Sequence, residues 1–200
     1  AAAIEVAQVE NWLVDYYSSQ PTAGLKADLA LLHFDNLFTE SQVENTWNTL
    51  AINTKRAVQQ AAKEQNALKI VALSGMSLHA LQDFYTHSNW AALHPGQGDR
   101  YSTLTWFDAT DRTGVYTGRY GHAGEQPEHG GYDTGLDHAS YVRPDWDKAY
   151  VFAYSGSRQW MHQIQDWVSE IDPDMWPQSL ALPLSSDDRT ALTADLEAAY

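Results

Sequence analysis

The sequence predicts a mainly α-helical fold, a helical bundle with one long glycine-rich loop excursion at about 94–142, in a single domain over residues 1–200. Three observations predict it. Apolar residues recur three and four apart through most of the chain, the spacing of one helix face. Capping residues stand at the starts of those runs. Most of the 12 glycines crowd into the excursion, which has no helical period.

The elements follow in order. Residues 4–18 read as a helix with Ile4, Val6, Val9, Leu13, Tyr16 and Tyr17 on one side, ended by Pro21 and Gly24. A short apolar stretch over 25–38 carries His33 and Asp35. Thr39 followed by Gln42 is a capping box, and the helix it opens spaces Val43, Trp47, Leu50, Thr54, Val58 and Ala61 as one stripe. Asn66 caps the next helix, whose apolar residues (Ile70 to Leu73, Met76, Leu78, Leu81, Phe84) surround the axis, so it is expected to be central and buried. The excursion offers at most a short hairpin near 101–106. Pro144 in a first helical turn then starts a helix running to about Ile171, with Trp160, Ile164, Trp167 and Ile171 in one stripe and Pro173 and Pro177 stopping it.

Composition excludes several function classes. Twelve Lys and Arg against 26 Asp and Glu leave a formal charge of −14, so no stable nucleic-acid complex is expected from bulk charge. A phosphate-bearing substrate would need a local positive centre, which a bound metal ion supplies. With no cysteine, disulfides, thiolate ligands and cysteine nucleophiles are absent. No apolar run is long enough to span a bilayer, so membrane contact is expected to be peripheral. The small residues Ala1-Ala2-Ala3 suit a cleaved signal peptide, hence a secreted or periplasmic protein, and equally an excised segment. Residues 185–188 read as a cap for a further helix, which suits the N-terminal part of a longer protein.

Five of the eight histidines fall in two places: His79 and His87 on the central helix, and His122, His129 and His138 in the excursion. His79, Asp83 and His87 stand at i, i+4 and i+8. Each step of four turns only about 40° and rises about 6 Å, so the three share one face of an otherwise apolar helix. A carboxylate buried there costs several kcal/mol unless paired, and a divalent cation is a strong partner. The two imidazoles lie about 12 Å apart along the axis, too far for one ion with metal–nitrogen bonds of about 2 Å. Two ions about 3.5–4 Å apart could use them, with Asp83 bridging or supporting one, provided that the helix bends or ends near His87.

Further ligands are expected from His33 and Asp35, two apart before the capped helix, and from His129 and His138 beside flexible glycines. His122 and Asp137 are lesser candidates. His162 and Asp166 form another i, i+4 pair, most simply read as a solvated face, and His94 before Pro95 has no evident partner. Neither a G-x-S-x-G elbow, a phosphate-cradling glycine loop, a dinucleotide fingerprint nor H-E-x-x-H occurs.

The run from Ser77-Leu78-His79 through Asp83-Phe84-Tyr85-Thr86-His87-Ser88-Asn89-Trp90 resembles the H-x-x-x-D signature helix of the zinc-dependent phospholipase C and single-strand nuclease superfamily. The likeness is greatest to the branch holding Het-C-type heterokaryon incompatibility proteins and bacterial phosphatidylcholine-hydrolysing phospholipases. Leu32-His33-Phe34-Asp35-Asn36, and Gly135-Leu136-Asp137-His138 with Arg143-Pro144, extend it over about 30–160. The resemblance implies a mainly helical fold and two or three zinc ions that polarise a phosphodiester and activate water. Three departures stand out: Ala1 replaces an N-terminal Trp that binds zinc, His162/Asp166 only approximates an H-x-x-x-E pair, and Ala139 stands where that branch often has an acid.

The expected function is therefore a zinc-dependent hydrolase of phosphodiesters, foremost phospholipid head groups. His33, Asp35, His79, Asp83, His87, His129 and His138 would hold metal, and Asp83 or Asp137 would accept a proton from water. Arg143 would contact phosphate, while Trp90 and Trp106, as surface aromatics, would meet substrate or lipid. The alternatives are a non-catalytic recognition domain with structural metal, and a nuclease.

Overall fold

Six helices account for most of the computed structural model, which describes residues 2–19, 32–97, 103–119 and 145–183. They are α1 (Ala2–Ser19), α2 (Glu40–Lys63), α3 (Ala67–His87), α4 (Trp90–Leu93), α5 (Trp146–Ser169) and α6 (Met175–Leu180). The fold is mainly α, and no strand occurs among the described residues; an isolated antiparallel bridge joins Ser88 to Thr117.

The local signals operate as expected. At the start of α2 the Gln42 backbone N–H donates to Thr39 Oγ1 at 3.3 Å, and the Thr39 N–H donates to Gln42 Oε1 at 3.0 Å, the reciprocal pair of a capping box. The Lys69 N–H donates to Asn66 Oδ1 at 3.0 Å, capping α3. Every residue of the α2 stripe from Val43 to Ala61 is buried. Helix α5 begins at Trp146, where the Ala149 N–H donates to the Asp145 carbonyl at 2.9 Å. The assignment of Pro144 to its first turn lies outside the described residues. Pro177 does not act as a stop: it sits inside α6, near its start, where a missing N–H leaves nothing unsatisfied. Of the suggested hairpin only 103–106 is described, and it carries no strand.

Two compact units make up the chain. The first comprises residues 1–32, 51–79 and 161–200. Here α1 presents Ala3, Val6 and Ala7 to Val71 and Ala72 of α3, while Ile4, expected on the apolar side, is 62% exposed. The reason is Gly75. A Cβ on Gly75 would lie 2.3 Å from the Ala7 carbonyl oxygen, so α1 approaches backbone to backbone and the small side chains, not Ile4, face the contact.

The second unit comprises residues 33–50 and 80–160. Its core is aromatic. Phe84 of α3 lies with its ring centroid 5.4 Å from Phe34, 5.2 Å from Trp47, 5.6 Å from Trp90 and 5.5 Å from Trp106. Tyr85 is fully buried, accepts the Trp106 N–H at 3.0 Å, and has its phenol pKa pushed up by burial. Nearby, Gln159 Nε2 and the Thr105 hydroxyl each donate to Asp108 Oδ2 at 2.8 Å. These bonds, Gln159's first, hold the Asp108 carboxyl below its ordinary range. A depressed carboxyl pKa contributes stability above its unfolded value and loses it as pH falls through the folded one. Asp108→Asn should therefore lower stability at neutral pH and flatten the acid limb of the stability–pH curve below about pH 4, as read by urea midpoints.

Candidate metal centre

Helix α3 ends at His87, as the spacing argument required, and the ligand-type residues emerge along its C-terminal half. A small frame of hydrogen bonds holds that end against the His33 segment. Residues 116–118 lie between the two. The Thr117 N–H donates to the Leu37 carbonyl at 2.8 Å, and the Leu37 N–H donates to Thr117 Oγ1 at 3.0 Å. On the other side the Gly118 N–H donates to the His87 carbonyl at 2.9 Å, and Asn89 exchanges bonds with the Tyr116 and Gly114 backbone. Asn36 makes the turn after Asp35 in the left-handed region, at φ 59°, which Asn tolerates. Phe34, fully buried between Trp47 and Phe84, anchors the segment between His33 and Asp35.

Within the second unit this places His33 Nδ1 2.9 Å from Asp83 Oδ2, across 50 residues of sequence. An ionised carboxylate only accepts, so Asp83 fixes the proton of a neutral His33 ring on Nδ1 and makes Nε2 the electron-pair donor. His87 Nε2 lies 3.7 Å from Asp83 Oδ1, one turn along α3, an electrostatic neighbour rather than a hydrogen-bond partner. The ends that could meet an ion or substrate face away from solvent: His33 Nε2, Asp35 Oδ1 and His87 Nδ1 are all buried atoms. The His33, Asp83 and His87 side chains are only 13–16% exposed.

Within the first unit His79 is buried, 5% exposed, and its Nε2 lies 3.6 Å from Asp15 Oδ1 near the C-terminal end of α1. Asp15 was not among the expected ligands. Its one sequence signal is position: a carboxylate near a helix C-terminus opposes the helix dipole and wants a positive partner. Asp15 and His79 each offer this contact one atom of a type that ligates metal ions. Imidazole nitrogens and carboxylate oxygens are the donor types that divalent zinc accepts.

The remaining candidates divide cleanly. His122, His129, His138, Asp137 and Arg143 lie outside the described residues. His162 and Asp166 are exposed on α5, the solvated face that their neighbours suggest. His94 does have a partner: its Nδ1 lies 2.9 Å from the Trp90 carbonyl, and its ring packs 4.2 Å from the Trp90 ring. The surface reading of Trp90 and Trp106 is corrected. Trp90 is fully buried with its indole N–H donated to the Leu104 carbonyl at 3.0 Å, and Trp106 is 4% exposed beneath Arg112. Both rings were recruited into the aromatic core, where large amphipathic side chains bury most area when their polar edge finds a partner.

No helix among the described residues is long and apolar enough to cross a membrane. A family model described as the VWA7 N-terminal domain matches residues 3–113, just over half of the chain and all of the described His–Asp positions discussed above except His162 and Asp166. No curated protein and no solved structure matches the chain.

Proposed function

We propose that this chain, which belongs to the VWA7 N-terminal domain family, is a metal-dependent hydrolase of phosphodiesters acting on phospholipid head groups. The observation that carries the reading is Asp83. It is a carboxylate at the end of an apolar helix, gripped at 2.9 Å by an imidazole from a distant segment and flanked at 3.7 Å by another. Carboxylate–imidazole pairs of this kind orient metal-ligating histidines and raise their basicity. The resemblance of the His79–Asp83–His87 run to the zinc phospholipase C and nuclease helix supports the same reading.

On this reading His33, oriented by Asp83, and His87 would be metal ligands, as would Asp15 and His79, with zinc as the metal. Bound there, the metal supplies positive charge toward phosphoryl oxygens and brings the pKa of a bound water to about 7. The chain's own residues do the rest. Asp83 keeps the His33 proton on Nδ1, so the ring meets its ligand through Nε2. The carboxylate of Asp83 would also accept a proton from attacking water. The buried Phe34 and the clasp of residues 116–118 restrict movement of these groups.

Elemental analysis of purified protein, with turnover of phosphatidylcholine vesicles and of a single-stranded oligonucleotide, tests this. Bound zinc, vesicle hydrolysis abolished by chelator and restored by zinc, and metal affinity lowered about 10–100-fold in Asp83→Ala are the expected results. Full metal content in both His79→Ala and Asp83→Ala would refute the ligand assignment. Hydrolysis of the oligonucleotide alone would make the chain a nuclease. A chelator that lowers Tm in a protein cleaving neither substrate would make the metal structural.

A further inference from the structure

Helix α5 carries a row of aromatic residues that its core does not use. Trp146, Tyr150 and Tyr154 recur every four residues, so they share one face. Tyr150 is 59% exposed and Tyr154 57%. Together with Gln82 and Thr86 of α3, Ser157 and two alanines, they line an open groove of about 460 Å³ within the second unit. Its size falls in the range of small-molecule sites, about 300–1,000 Å³.

The lining specifies the ligand's chemistry. Among the described residues, none that lines the groove is charged, in a chain of formal charge −14, so the lining itself favours a neutral ligand. The Trp146 and Tyr150 rings lie within 24° of parallel, with centroids 5.5 Å apart. The two rings are stacked on each other, so a ligand meets an outer face of the pair; parallel faces do not enclose a sphere from several sides, as a cage for a quaternary ammonium does. Arg158 sits by the Tyr154 ring, 6.0 Å from its centroid, so the open part of the platform is Trp146 and Tyr150.

The polar groups complement those faces. Thr86 donates its hydroxyl proton to the Gln82 carbonyl at 2.9 Å and so offers the groove acceptor lone pairs. Ser157 Oγ accepts from Gln82 Nε2 at 3.2 Å and so offers a donor O–H. A flat apolar platform edged by a hydroxyl acceptor and a hydroxyl donor matches a molecule with axial C–H faces and equatorial hydroxyls. We propose that the groove lined by Trp146, Tyr150, Thr86 and Ser157 is a binding site for a neutral sugar, one pyranose ring stacking on the aromatic pair. This does not rest on the metal reading and should survive chelation.

Saturation-transfer NMR on the full chain, with cellotriose, mannotriose and tri-N-acetylchitotriose at millimolar concentration and phosphocholine, which carries a quaternary ammonium and a phosphate, as the charged comparator, tests it. Saturation of the C–H protons of at least one trisaccharide is expected, unchanged by chelator. Tyr150→Ala, at an exposed position, and Trp146→Ala should each weaken binding about tenfold with Tm unchanged, through loss of the stacking face. Ser157→Ala should weaken it less. Transfer to none of the three sugars, transfer undiminished in both aromatic variants, or binding of phosphocholine alone would overturn the proposal.

Discussion

Phe84→Ala is expected to remove about 4 kcal/mol of stability, the largest loss of any single substitution considered, because truncating a fully buried phenylalanine forfeits both its transfer energy and the filling of its site. The ring cannot be replaced by collapse of its neighbours. Phe34, Trp47, Tyr85, Trp90 and Trp106 all contact it, most of them edge-on or tilted, and each is itself held by other rings or by a polar anchor. Urea unfolding should show a lower midpoint with little change in slope. The same variant should also loosen the candidate centre. Phe34 packs on Phe84 and carries His33 as its neighbour, so the His33–Asp83 pair depends on this contact. Reduced metal content in folded Phe84→Ala protein is the accompanying expectation. A loss under about 1 kcal/mol would mean that the ring cluster is not a close-packed core.

Gly75→Ala is expected to lower stability by about 2 kcal/mol, against the sign of intrinsic propensity. In an exposed helix interior, alanine gains about 1 kcal/mol over glycine. At Gly75 the added methyl would meet backbone atoms of Ala7, the nearest at 2.3 Å, and a backbone cannot swing aside as a side chain does. Overpacking of this kind costs about 1–3 kcal/mol, and this contact stands at the severe end. Helix α1 would have to move off α3, disturbing the packing of Ala3 and Val6 on Val71, the Asn11 bond to the Gly75 carbonyl and the Asp15–His79 pair. Gly96→Ala is the control, since a methyl there meets nothing within 4 Å. Equal midpoints for the two variants would show that α1 has room to spare.

Much of the fold was legible in advance because its signals are local. A capping box spans four residues, and a helical stripe repeats within a turn; the α2 stripe and the caps at Thr39 and Asn66 therefore appear where the pattern put them. The placement of His79, Asp83 and His87 on one face of α3 belongs to the same class, since helical geometry alone aligns them. The errors share the opposite character. Ile4 was expected inside and is outside, and Trp90 and Trp106 were expected outside and are inside. Each depends on which neighbour arrives from elsewhere in the chain.

The candidate centre divides along that line. Periodicity, caps and residue chemistry by themselves determined the mainly helical class, the bounds of the long helices and a histidine–aspartate face on the central one. Only tertiary structure decided that His33 reaches Asp83, that Asp15 reaches His79 and that the tryptophans of 90 and 106 close the core instead of facing solvent. The physical reason is that hydrogen bonds within a helix are made between residues four apart, whereas a contact across 50 or 64 residues exists only after whole helices have found the packing that buries their apolar faces.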